Sequence, residues 1–186
     1  MAWNNPDLIV FHGSSTTALG AYGPVAGQPL RTFRVNLSKG NVSVDFGQGF
    51  YVTTKESQAH DWANQGASKA RTGPSPVDPN SRAVLLKFEI DRDVLAGLDT
   101  LCFMRPDADY FTFTDDCRTN ARLSHGRPGP KFVYDVVYGP VRIWKQRQVM
   151  GDCDQISFHT RSAVTKLPRA HVEDIGDAAT GELFVP

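Results

Sequence analysis

Hydrophobic and polar positions alternate along this chain in short runs. The most regular run spans residues 82–90, where Val84, Leu86, Phe88 and Ile90 interleave with Leu85, Lys87 and Glu89. It reads as a strand with one face fully buried. An earlier strand is predicted over 8–13, ended by Gly13-Ser14-Ser15, and a loop over 18–30 follows it. A short strand fits 31–37. Residues 43–54 read as strand, turn, strand around Gly47-Gln48-Gly49, with the aromatic and β-branched run Phe50-Tyr51-Val52-Thr53 as the second strand. The period then changes. Over 55–71, Ala59, Trp62, Ala63 and Ala67 fall on one face of a helix for which Thr54 can serve as N-cap. Three prolines and a glycine make 72–81 a loop. Beyond it the pattern predicts a short helix or turn over 91–98 and a segment over 107–123 that is aromatic early and helical later. A strand over 132–137 is closed by Gly139-Pro140 and continued by 141–144. The last strong strand covers 155–160, a short helix covers 161–167, and the pattern is weak from 168 onward.

Sixteen glycines and twelve prolines punctuate the 186 residues, which favours short strands over long helices. Many short strands with one clear helix predict an α+β fold. The alternation of strand and helix is too irregular for a doubly wound parallel sheet. Gly47-Gln48-Gly49 leads into a strand rather than a helix, so it is not a dinucleotide-binding fingerprint, and a P-loop is missing.

The length suits one domain over 1–186. Twenty Lys+Arg balance twenty Asp+Glu, evenly spread, which argues against an obligate nucleic-acid coat but leaves room for a local basic groove. No apolar run approaches the roughly 20 residues of a spanning helix. The first residues lack the charged and apolar regions of a signal peptide. Three scattered cysteines do not make a disulfide framework. A cytoplasmic protein without a membrane partner is the expectation.

Four segments could carry chemistry, and each has a plainer reading. His12-Gly13 ends the first strand and presents an imidazole at the sheet's rim, or simply turns the chain. In Asp45-Phe46-Gly47-Gln48-Gly49-Phe50-Tyr51-Val52-Thr53-Thr54, the glycines allow close approach to the backbone, and Tyr51 and Thr53 share one strand face, or the segment is a hairpin with a core tyrosine. Trp62 lies among small residues on the helix, as a ligand-stacking ring or as core. Gln155 opens the last strand behind Asp152 and Asp154, as a rim residue or as a mere boundary.

Together, and in this order, the four segments resemble the ADP-ribosyltransferase superfamily, in its branch with a His–Tyr–Glu triad. That branch has a strand ending His-Gly, then Gly-x-Gly-hydrophobic-Tyr-hydrophobic-Ala/Thr, a helix bearing a second aromatic, and a strand that begins at the catalytic acid. The matching residues are His12-Gly13, Gly47 to Thr53, Trp62 and Gln155, and the step from Tyr51 to Trp62 matches the family's spacing. More narrowly, the sequence resembles a bacterial family of this superfamily whose function had not been assigned. Its recurrent features are His-Gly-Ser, Asp-Phe-Gly-x-Gly-Phe-Tyr-x-Thr, Gln-Ala-x-x-Trp-Ala, Tyr-Asp-x-Val-x-Gly-Pro and Gln-Ile/Val-x-Phe. The resemblance covers about residues 8–167 and implies a catalytic core built on a split β-sheet.

The reaction so implied breaks the nicotinamide–ribose bond of NAD through an oxocarbenium-like transition state. NAD is the substrate, and no metal is needed because nicotinamide leaves as a neutral molecule. The resemblance implies that His12 bonds the adenosine ribose, the Gly13 backbone pairs with the carboxamide, and Tyr51 and Trp62 clamp the nicotinamide ring. It places Thr53 in the pocket wall and Gln155 at the ribose 2′-hydroxyl. Arg118 could pair with the pyrophosphate, or be a surface arginine. Where the superfamily commonly has Glu, this chain has Gln155, which supplies an amide dipole but no base. Either the amide suffices, or Asp152 or Asp154 supplies the charge, or turnover is lost.

The expected function is therefore mono-ADP-ribosyl transfer to a protein or nucleic-acid acceptor, as a bacterial or phage effector or toxin that could face an antitoxin or immunity partner. NAD hydrolysis and non-catalytic NAD or ADP-ribose binding are the alternatives. Arg142-Ile143-Trp144-Lys145-Gln146-Arg147 reads either as a nucleic-acid-tracking stretch or, preferentially, as a charged edge strand.

Overall fold

A computed structural model describes residues 5–30, 34–119, 125–127 and 132–183. Among these residues, seven strands and five helices form a mixed α+β fold with two sheets. In chain order the elements are β1 Leu8–Ser15, α1 Thr16–Leu19, β2 Phe50–Val52, α2 Glu56–Thr72, β3 Ala83–Ile90, α3 Arg92–Ala96, β4 Thr100–Cys102, α4 Ala108–Thr119, β5 Val136–Arg142, β6 Val149–Phe158, α5 Arg161–Val164 and β7 His171–Ile175. Among the described residues, no helix is long and apolar enough to cross a membrane. The chain divides into two compact units. One comprises Met1–Arg34, Val52–Asp91 and Pro168–Pro186; the other comprises Val35–Tyr51 and Arg92–Leu167.

The first unit is a three-stranded antiparallel sheet, β1-β3-β7, with α2 packed on β1 and β3. β1 pairs with β3 from Leu8 opposite Ile90 to Ser15 opposite Ala83. The predicted alternation in β3 is real, but burial is two-sided: Ala83, Val84, Leu85 and Leu86 are all fully buried. The small-residue face of α2 explains one side. Ala59, Ala63 and Ala67 recur every four residues and cluster with Phe11, Ala83, Leu85 and Leu183. Gly13 lets the helix come this near, because a Cβ there would lie 2.1 Å from the Ala59 carbonyl oxygen and 2.6 Å from the Ala63 nitrogen. The predicted cap differs. The N-cap position is Lys55, whose side chain does not cap the helix. Thr53 is the residue that turns the chain into α2: its Oγ1 accepts from Lys55 N at 3.0 Å and donates to Gln58 Oε1 at 3.0 Å.

The second unit is a four-stranded sheet, β2-β6-β5-β4, in which β4 runs parallel to β5 and β5 antiparallel to β6. Its core is aromatic: Phe46, Tyr110, Phe111 and Val137, flanked by Tyr51, Leu101, Phe103, Phe113, Tyr134 and Val149. Pro140 sits inside β5 where the register shifts, one residue past Gly139 and beyond the β4 pairing that ends at Tyr138. Its missing N–H therefore removes no bond to β4.

Several boundaries differ from the sequence reading. The strand expected over 31–37 is not formed among the described residues: 31–33 lie outside them, and Leu37–Lys39 is a 3-10 turn. Residues 43–49 are turns rather than a strand, held by side chains as described below. The ambiguous segment 107–123 is helical at Ala108–Thr119, with 120–123 outside the described residues. The weakly patterned tail contributes β7.

Candidate functional site

Asp45 is the hub of the second unit. Its carboxylate is buried and accepts from four donors: Oδ1 from Arg118 Nε at 2.9 Å and from Arg118 Nη2, Oδ2 from Arg142 N at 2.7 Å and from Gln155 Nε2 at 2.6 Å. Two oxygens with two lone pairs each are then fully engaged. Arg142, also buried, extends the network, with Nη1 donating to Thr114 Oγ1 at 2.8 Å and to Asp115, and Nε to Gln146 O at 2.7 Å. These bonds hold the Asp115 carboxyl below the usual carboxylate range.

The sequence puts Gln155 at the mouth of a strand. It lies instead inside the ten-residue β6, opposite Gly139. Both neighbours of its amide nitrogen, Asp45 Oδ2 and Pro140 O at 2.9 Å, are acceptors, so the nitrogen and not the oxygen faces them. Its Oε1 accepts no hydrogen bond from the described residues. Of the two acids expected to supply charge beside it, Asp152 is exposed with φ 52°, and Asp154, the adjacent strand residue, projects to the opposite face. The carboxylate against Gln155 is Asp45, 110 residues away in sequence.

The loop that carries Asp45 is clasped by three rings. His125 Nε2 donates to Phe46 O at 3.1 Å, the Tyr51 hydroxyl to Gly47 O at 2.7 Å, and His159 Nδ1 to Gln48 O at 3.0 Å. Carbonyl acceptors fix both histidine tautomers. The other nitrogens accept: His125 Nδ1 from Tyr134 N at 2.9 Å, His159 Nε2 from the Ser157 hydroxyl at 2.7 Å. Burial keeps both rings neutral, pushing His125 down to about 4 and His159, with His125 beside it, down to about 3. The Tyr51 hydroxyl also accepts from Phe46 N at 3.1 Å, and burial raises it well above the ordinary phenol value. Ser157 and His159 have the spacing of a nucleophile and base, but Ser157 is 0% exposed, so the pair braces the loop. Two glycines complete this turn. Gly47 has φ 75°, and a Cβ on Gly49 would lie 2.8 Å from His159 Nδ1.

The sequence-predicted residues fall into two groups. Tyr51, Arg118 and Gln155 belong to the second unit; His12, Gly13, Thr53 and Trp62 belong to the first. Within the second, the Arg118 guanidinium joins Gln155 through Asp45 and lies 5.0 Å from the Trp144 ring centroid, which leaves only its Nη1 without a partner among the described residues. Tyr51 packs its ring against Phe46 and edge-on to His159. Within the first, Trp62 Cβ lies 3.1 Å from where a Gly13 Cβ would stand, and His12 is half-buried opposite Leu86. Thr53 is fully buried, bridged to Phe11 by two backbone bonds. An open cleft of about 530 Å³ lined by Cys102, Phe103, Met104, Arg105, Asp107 and Asp109 includes none of the seven predicted residues.

Sequence reasoning gives no role to Asp45, Arg142, His125 or His159. The first stands in a quoted motif. Arg142 reads in sequence as part of a nucleic-acid-tracking stretch or a charged edge strand. It lies past the β4 pairing, which ends at Tyr138, with its backbone N–H bonded to Asp45. The rest of the basic stretch forms the β5–β6 turn, with Lys145 at φ 60° and Trp144 57% exposed.

Residues 30–142, more than half of the chain, match a family described as protein of unknown function (DUF3990), and the chain belongs to that family. No curated protein and no solved structure matches it.

Proposed function

We propose that this protein is an NAD-dependent mono-ADP-ribosyltransferase of the effector or toxin kind, with the α+β core of that superfamily. The observation that carries the reading is the ordered set of motifs at His12-Gly13, Asp45 to Thr54, Gln58 to Ala63 and Gln155 to Phe158. The bond between nicotinamide and ribose C1′ breaks, nicotinamide departs neutral, a nucleophile of a protein or nucleic acid bonds to C1′, and its proton goes to solvent. His12 and Gly13 hold the dinucleotide, Tyr51 and Trp62 flank the nicotinamide ring, and Gln155 bonds the ribose hydroxyl as the oxocarbenium ion forms.

Two features of the molecule support it. Gly13 sits against the helix that bears Trp62, and Gln155 is held by a buried carboxylate rather than left as a surface amide. An amide is not a base, however, so the acceptor proton leaves by another route. Hydrolysis, with water as the acceptor, is the second reading, and the neutral amide at 155 favours a third, NAD binding without turnover. Adenylate-labelled NAD incubated with the protein and a cell lysate separates them. Label on a macromolecule, lost in His12→Ala and Tyr51→Ala, supports transfer. Nicotinamide release without labelled macromolecule supports hydrolysis, and tight NAD binding with neither product supports a binding module.

A further inference from the structure

We infer that Asp45 is the positioning residue for Gln155, and that its carboxylate dictates glutamine rather than glutamate at 155. This rests on the reading of Gln155 as the residue that meets the NAD ribose. The Gln155 amide donates both its N–H groups, to Asp45 Oδ2 at 2.6 Å and to Pro140 O at 2.9 Å. Two fixed donors leave the amide one orientation and aim its carbonyl oxygen away from Asp45. Donation to a carboxylate also draws the amide toward its charge-separated form, which makes Oε1 a stronger acceptor. Asp45 is itself immobile, because Arg118 and the Arg142 backbone occupy its remaining lone pairs. Its negative charge therefore reaches the ribose hydroxyl through the amide, where a His–Tyr–Glu enzyme would place a carboxylate directly. A glutamate at 155 would set a second carboxylate against Asp45, and like charges so close do not both ionise.

Asp45 requires a donor at 155, and exchanging the two chemistries tests that directly. Nicotinamide release and thermal melting are measured for the wild type, Asp45→Asn, Gln155→Glu and the double variant Asp45→Asn/Gln155→Glu. Side-chain amide hydrogen exchange of Gln155 is read by NMR in the wild type. Asp45→Asn should lower kcat roughly ten- to a hundredfold, by more than it raises KM for NAD, since His12, Gly13, Tyr51 and Trp62 are untouched and only Arg118 loses its carboxylate partner. Gln155→Glu should melt lower than the wild type at pH 7, recover as pH falls, and be partly rescued when Asp45→Asn is added in the double variant. The Gln155 amide should exchange more slowly than that of the exposed Gln146. If Asp45→Asn does not fold, the rescue and the exchange rate still decide. Wild-type kcat in a folded Asp45→Asn overturns the inference alone, as does a Gln155→Glu variant with wild-type melting at pH 7, or fast amide exchange. A wild type that neither releases nicotinamide nor transfers label overturns the proposed reaction and, with it, the catalytic part of the inference; the melting coupling would then remain as a structural pairing only.

Discussion

The rings of His125 and His159 meet edge to face with centroids 4.4 Å apart, each donating one N–H to a carbonyl of the loop that carries Asp45. Neither ring can gain a proton without losing an acceptor nitrogen that Tyr134 N or Ser157 Oγ already uses. The loop is therefore held by two neutral histidines, and its stability depends on pH.

The sign follows from their pKa values, about 4 and about 3 in the folded chain, against about 6.5 unfolded. Between those values the unfolded state binds more protons, so stability rises with pH. It is fully present above about pH 6.5 and lost below, at about 1.4 kcal/mol per pH unit for each histidine. Urea unfolding between pH 7 and pH 4.5 should show this fall, in a range above the titration of the acids held low by their hydrogen bonds. His159→Gln should roughly halve its slope, leaving the part that His125 contributes. A stability independent of pH there would contradict the bracing role of the two rings.

Gly13→Ala should destabilise the protein by at least about 3 kcal/mol, an overpacking cost at the severe end, because the new Cβ meets helix backbone rather than a movable side chain. The check is a denaturant midpoint against Gly66→Ala, where a Cβ meets nothing within 4 Å and helix propensity alone predicts a small gain. Equal midpoints would mean that α2 does not pack on β1 this closely.

Tyr51→Phe separates two roles of one side chain. It removes the hydroxyl that bridges Phe46 N and Gly47 O, which should cost about 1–3 kcal/mol. It keeps the ring that the proposed mechanism stacks on nicotinamide. Stability should fall while KM for NAD stays near the wild-type value, and Tyr51→Ala should lose both. A Phe variant of unchanged stability would show that the hydroxyl does not hold the loop.

The apolar positions make α2 and β3 legible, α2 through its single small-residue face and β3 through a dense β-branched and aliphatic run that is buried on both sides at Ala83 to Leu86. Loop 43–49 reads as part of a strand because its order comes from partners far along the chain, His125 and His159, and not from its own pattern. The same reason hides the environment of Gln155. Asp152 and Asp154 stand beside it in sequence, yet strand geometry turns Asp154 away, and folding brings Asp45 in from 110 residues off. β7 escapes the sequence pattern because its register with β3 breaks at Leu85/Leu86 and its exposed residues dilute the alternation. The motif set names candidate residues by their order, and only the folded chain shows which of them are already engaged with one another.

The central claim is that this chain cleaves the nicotinamide–ribose bond of NAD, and chromatographic measurement of nicotinamide release tests it most directly. The purified protein, with NAD and a lysate as the source of acceptor, should release nicotinamide in proportion to time and enzyme. His12→Ala, at unchanged melting temperature, should abolish the release. A folded wild type that leaves NAD intact with and without lysate would contradict the account.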